Sequence, residues 1–183
     1  YTGEDGFEIS APLGQAEAFA RALMANEFVE PIGLGARDSL RLEAGLPLYG
    51  QDMDTSVSPV EAGQSWAIGK VRRPGGIRAG GFPGAAQIFD QIANGARRRR
   101  VALLPQTRAP MRAGAGFFGR ETADQPPGRV TSGGFGPTLG APVALALIDA
   151  KTPQDQTVYG DVRGKRLPAA QTTLPFTPHG YKR

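Results

Sequence analysis

Cysteine is absent from the 183 residues, and histidine occurs once, at His179. The first absence excludes disulfides, thiolate nucleophiles and cysteine metal sites, and it fits a reducing compartment. The second leaves no histidine pair for zinc and no Ser/His/Asp triad unless one closes around a residue near the end of the chain. No apolar run approaches the roughly 18 residues of a membrane helix. The first residues have neither the basic segment nor the apolar core of a signal peptide, so a soluble protein without a membrane partner is expected. The chain opens Tyr1-Thr2-Gly3 with no methionine, which reads as a native start that is missing or processed away. Glycine-rich residues 131–140 lack the Lys-Ser/Thr ending of a phosphate loop, and Gly33-Leu34-Gly35 lacks the third glycine of a dinucleotide fingerprint. Asp52 and Asp54 lack the rest of a cation-ligand set and are expected to stay solvated, so no metal site is assigned.

What is present suffices for a core: 40% of the residues are hydrophobic. The formal charge is +4 and the pI about 9.8, a balance that favours an anionic partner without naming one. The densest basic run is the four arginines at 97–100. No aromatics interleave with them, and an apolar strand pattern follows at once, so alternate arginines should point to opposite faces. Nucleic acid is therefore not the expected partner.

Taken in order, a glycine-punctuated turn at 2–6 leads into a strand at 6–10, with Phe7 and Ile9 on one side and Glu8 on the other. Residues 15–26 carry Ala16, Phe19, Ala20 and Leu23 on one helical stripe. Residues 36–44 read as a second helix, stopped by Gly45 and Pro47, and residues 85–93 as a third, bearing Ile88, Phe89 and Ile92 and ended by Gly95. Arg37, near the start of the second helix, opposes the helix dipole. Its partner is a carboxylate of the chain, such as Asp38 or Glu43, or an anion elsewhere. Ser58-Pro59-Val60-Glu61 is a helix-start or turn signal. Beyond Arg97 the pattern changes to short β runs at 101–104, 128–132, 143–149, 157–163 and 167–173, with glycine-rich loops at 112–119 and 132–140. Such spacing indicates a sandwich, barrel or jelly roll. The class is α+β, with a boundary near 93–96 dividing residues 1–95 from residues 96–183.

The run GARDSLRLEAGLPLYG is preceded by YTGEDGFEIS and followed by SPVEAG, SWAIGK, FPGA, RRRV, APMRAGA, VTSGGFGPTLG and LPFTPHGYKR. In that order these segments closely resemble the aminomethyltransferase of the glycine cleavage system, the T-protein family. The resemblance covers essentially the whole chain but only the second half of the family's chain. It implies a partial ferredoxin-like folate-binding unit over residues 1–95 and a C-terminal β-barrel or jelly-roll domain over residues 96–183. The implied activity moves the one-carbon unit from the aminomethyl-lipoyl arm of H-protein to tetrahydrofolate, releasing ammonia. The compartment would be the bacterial cytoplasm or the mitochondrial matrix.

Carried over residue by residue, the family's folate-contacting glutamate falls on Glu8, its arginine on Arg37 and its C-terminal tyrosine on Tyr181, with Trp66 in a segment near the cavity. A carboxylate can accept the paired amino and ring N–H donors of a reduced pterin, and a guanidinium suits the carboxylates of a folate tail. The family's catalytic aspartate lies in its other half and matches nothing here. Asp5, Asp38 and Asp52 do not replace it, so the chain by itself is expected to be inactive. Related alternatives are the folate region of a sarcosine or dimethylglycine dehydrogenase and a non-catalytic folate-binding module. The tRNA-maintenance relatives carry a Lys-Gly-Cys signature that a chain without cysteine cannot have.

Overall fold

The structure, a computed structural model, describes residues 1–124, 126 and 128–182. Three α-helices, α1 (Leu13–Met24), α2 (Leu34–Glu43) and α3 (Ala85–Asn94), precede six strands. The strands are β1 (Arg98–Pro105), β2 (Gly116–Phe118), β3 (Gly128–Gly136), β4 (Ala141–Asp149), β5 (Val158–Val162) and β6 (Lys165–Thr172). They close into an antiparallel barrel in the order β1-β4-β3-β2-β5-β6, with β6 returning to β1. The α+β class and the C-terminal barrel are those the sequence indicates, and closure selects the barrel over an open sandwich.

β4 shows why closure works. Its residues from Pro142 to Leu147 and Ile148 are all buried, the continuous apolar pattern of a strand covered on both faces. Ala144, Ala146 and Ile148 join Val101, Leu103, Phe117, Val130 and Val158 inside the barrel. Val143 and Leu145 face outward, where Leu42 of α2 seals them together with Leu104, Leu174 and Phe176. The last turn of α2 is thereby fixed to the barrel wall.

Two expectations need correction. Residues 6–10 form no strand; Phe7, Glu8 and Ile9 are exposed, with no ladder partner among the described residues. Alternation alone does not make a strand, because an isolated one leaves its N–H and C=O groups unpaired. The glycine-rich loops are also shorter than expected. Gly116–Phe118 forms β2, and β3 continues through Gly136, its glycines leaving room for close neighbours. At Gly133 a Cβ would meet the carbonyl oxygen of Met111, whose side chain is wholly buried in the barrel core.

The arginine run behaves as β alternation requires. Arg98 is held by both carboxylate oxygens of Glu61, at 2.9 and 3.2 Å, and by Ser56 O, while Arg100 donates to Gly45 O. Arg99, on the opposite side, donates to Thr152 O and Gln171 Oε1. Ser58 and Glu61 form a reciprocal capping box, Ser58 N–H to Glu61 Oε2 at 3.0 Å and Glu61 N–H to Ser58 Oγ at 3.1 Å. This fixes the carboxylate toward Arg98. Burial raises the pKa of Glu61, but the Arg98 and Ser58 hydrogen bonds outweigh it and hold it below the ordinary carboxylate value.

Candidate functional site

The organising side chain is Arg41, which is 1% exposed. Its Nη1 donates to Asp52 Oδ2 at 2.6 Å and to Leu46 O at 3.2 Å. Nη2 donates to Ser132 Oγ at 2.8 Å and Gln51 Oε1 at 3.3 Å, and Nε to Asp38 Oδ1 at 2.8 Å. Asp52 in turn accepts from Leu48 N–H and from the hydroxyls of Thr131 and Ser132. Consecutive strand residues ordinarily face opposite ways. A register shift between Val130 and Ser132 breaks that alternation and brings both hydroxyls onto the carboxylate. The buried charges are thus fully hydrogen-bonded, the condition under which such a pair is tolerated. Asp52 is therefore a buried structural partner, not the solvated residue the sequence indicated. Asp54 binds the N–H and hydroxyl of Ser56, which hold its pKa down.

One helical turn before Arg41, on the same face of α2, stands Arg37. Its Nη2 lies 3.5 Å from Glu8 Oε1, with side-chain exposures of 43% and 88%. Glu8 is thus the carboxylate opposite Arg37, rather than Asp38 or Glu43. At that length and exposure the pair adds little to stability, and most donors and lone pairs stay open. The Arg37 guanidinium lies over the ring of Tyr1 at 4.7 Å, while Tyr1 Oη donates to Pro47 O at 2.5 Å. Burial lifts the Tyr1 phenol above its ordinary pKa; Arg41 opposes that rise and Asp52 adds to it. Tyr1 therefore stays a neutral donor, and its ring a fixed platform for Arg37.

The C-terminal tail returns to this region. His179 Nε2 donates to Ala44 O at 2.8 Å, Gly180 N–H to Gly3 O at 2.8 Å and Lys182 N–H to Asp5 Oδ2 at 3.1 Å. Tyr181 sits between these contacts, its ring edge-on to His179 with centroids 5.2 Å apart, and it is 46% exposed. Trp66 stands apart in a 3-10 turn, Ser65–Ala67, its side chain 72% exposed. So the fold joins Glu8 to Arg37 and brings the Tyr181 tail beside residues 3–5, while no hydrogen bond or ring contact among the described residues ties Trp66 to them. Sequence reasoning missed Tyr1 and the Arg41–Asp52 network. The spacing of Arg37 and Arg41 by four was the one available signal.

Comparison with known proteins agrees with this architecture. The family model described as GCVT N-terminal domain matches residues 1–72, and the glycine cleavage T-protein C-terminal barrel domain matches residues 98–177. A mitochondrial aminomethyltransferase of Gallus gallus is 46% identical, covering 99% of this chain and 45% of its own length. A probable mitochondrial aminomethyltransferase of Schizosaccharomyces pombe is 45% identical, covering 100% and 46%. The crystal structure of glycine cleavage system aminomethyltransferase T from Bartonella henselae superposes with a TM-score of 0.89 at 42% identity, over 100% of this chain and 49% of that one. The chain spans about half the length of the curated relatives it matches. It belongs to the aminomethyltransferase family of the glycine cleavage system, the T-proteins.

Proposed function

We propose that this chain is the part of a tetrahydrofolate-dependent aminomethyltransferase that holds the folate, with Glu8 and Arg37 as its principal contacts. The observation that carries the reading is the Glu8–Arg37 pair: two opposite charges 3.5 Å apart, both open to a ligand, with Arg37 on a helix whose next turn is locked to the barrel. Glu8 accepts the parallel N–H donors of a pterin, and Arg37, steadied by Tyr1, takes the carboxylates of the tail. Tyr181 closes the tail side of the site, and Trp66 is a more distant contact. Tetrahydrofolate supplies the nitrogen that receives the one-carbon unit. The residues of this chain bind and orient; none of them moves a proton in the reaction, so residues 1–183 alone would be inactive.

The donor in this reading is the aminomethyl-lipoyl arm of H-protein, with ammonia as the second product. Residues 1–95 form the folate-facing region and residues 96–183 the barrel that supports it. The compartment is the mitochondrial matrix in a eukaryotic cell, as the names of the curated relatives suggest, and the cytoplasm in a bacterial one. Glu8→Gln keeps the side-chain volume but turns one acceptor into a donor facing the pterin. In the intact protein it should weaken tetrahydrofolate binding about ten- to a hundredfold, the equivalent of one charge-assisted hydrogen bond. Titration calorimetry checks this, and an unchanged dissociation constant would return Glu8 to a surface role.

A further inference from the structure

Away from the Glu8–Arg37 pair, a cleft of about 350 Å³ opens at the seam where β6 leaves β1; it is lined by Arg99, Arg100, Gln154, Gln171, Thr173 and Leu174. The β1–β6 ladder begins only at Ala102↔Thr172, although β1 starts at Arg98. The free edge ahead of it is taken up elsewhere: Arg100 N–H donates to Glu61 O at 2.8 Å. The gap is a product of the topology.

The charge at this seam is not balanced. Arg41, Arg98 and Arg166 each have a carboxylate within 4.0 Å, whereas among the described residues Arg99 and Arg100 have none. Arg99 Nη2 donates to Thr152 O and Gln171 Oε1, both at 2.9 Å, and Arg100 Nη1 to Gly45 O at 3.1 Å. Their remaining guanidinium N–H groups meet no acceptor among the described residues. Burial lowers the pKa of both arginines; for Arg100 the Asp52 charge opposes this in part and Arg41 adds to it. A guanidinium stays protonated, so both charges stand at the cleft with no carboxylate of the described residues against them.

We propose that this cleft binds a small organic anion through its carboxylate or phosphate group. Arg99 and Arg100, reaching the seam from opposite faces of β1, supply the charge, Gln154 and Thr173 offer polar contacts, and Leu174 lies against the apolar body, while Gln171 is taken up by Arg99, Pro153 O and Gln156 O. The volume is at the lower end of the roughly 300–1,000 Å³ of small-molecule sites, more than a bare oxyanion fills. The site is separate from the proposed folate contacts and stands or falls without them.

The test is titration calorimetry on the intact protein at constant ionic strength, with inorganic phosphate, glutarate and, as a control, chloride. Saturable binding of phosphate or glutarate but not chloride is expected, and which of the two binds more tightly tells a phosphate from a carboxylate ligand. Arg99→Gln and Arg100→Gln should each weaken it roughly ten- to a hundredfold, the loss of a charge-assisted contact. Arg100→Gln also gives up the Gly45 contact and could unfold the seam, so Thr173→Glu is the companion variant. It leaves both arginines intact, adds a carboxylate at an exposed position of the cleft, and should abolish binding. No saturable heat with either probe, or wild-type affinity in both Arg99→Gln and Thr173→Glu, overturns the proposal.

Discussion

Asp52→Asn removes the charge from the centre of the Arg41 network while keeping its shape. In the native protein, Asp52 is 1% exposed and accepts from Arg41, Leu48, Thr131 and Ser132. An asparagine oxygen can still take the Arg41, Leu48 and Ser132 bonds, and the Thr131 hydroxyl can turn to accept from the new amide. Hydrogen bonding is thus largely preserved, and the loss falls on electrostatics. Arg41 would remain buried with Asp38 as its only carboxylate, a side chain that is 54% exposed. Removing one partner of a buried ion pair costs about 3–5 kcal/mol. For a chain of this size each kcal/mol lowers the melting temperature by about 2–4 °C, so a drop of about 6–20 °C is expected. Asp38→Asn removes the solvent-facing partner and should cost below about 1 kcal/mol. Thermal and urea unfolding followed by circular dichroism compare the two variants. Equal losses would refute the assignment of Asp52 as the charge that holds α2 to the barrel.

Gly133→Ala should destabilise by about 1–3 kcal/mol, because its Cβ would meet a backbone carbonyl, that of Met111, which cannot swing away. Gly134→Ala, whose Cβ would sit 3.6 Å from Leu42 Cδ2, should change urea stability by no more than about 0.5 kcal/mol, and equal effects would contradict the packing described. Glu61 has a folded pKa below its ordinary value of 4.5, so its stabilisation is fully present above that pH and is lost as the pH falls through the folded pKa. The stability gap between wild type and Glu61→Gln in urea should therefore be widest at neutral pH and narrow below about pH 4.5, where a constant gap would count against the Arg98 pairing.

Much of the fold was legible because its signals are local. Phe19 and Leu23 mark α1, Ile88 and Ile92 mark α3, and the β4 run needs no partner to be read as a buried strand. Illegible features depend on distant partners. β2 has three residues and exists only because β3 and β5 flank it. Residues 6–10 alternate as a strand should, yet nothing in the described residues pairs with them. The shift at Thr131 and the burial of Asp52 join positions 79 and 80 residues apart, beyond any windowed pattern. The same holds for the site. Glu8 and Arg37 could be named by resemblance, but their contact spans 29 residues, and the Tyr1 platform left no mark in periodicity or motif.

Arg37 and Arg41 show what decides function here. They are one residue type on one helical face, four positions apart, and no motif separates them. Arg41 spends its guanidinium on two carboxylates, a hydroxyl, an amide and a carbonyl, and its burial leaves nothing for a ligand. Arg37 has one long contact to an exposed glutamate and an aromatic ring beneath it. The difference follows from where α2 touches the barrel: Leu42 and Glu43 bury its last turn, and Leu34 at its start is 81% exposed. The residues ahead of that open end are exposed as well, Phe7, Leu13 and Phe28 among them. Glu8 lies inside that stretch, between Phe7 and Ile9. The Glu8–Arg37 pair therefore lies at the exposed end of α2, one turn from the part that Asp52 anchors.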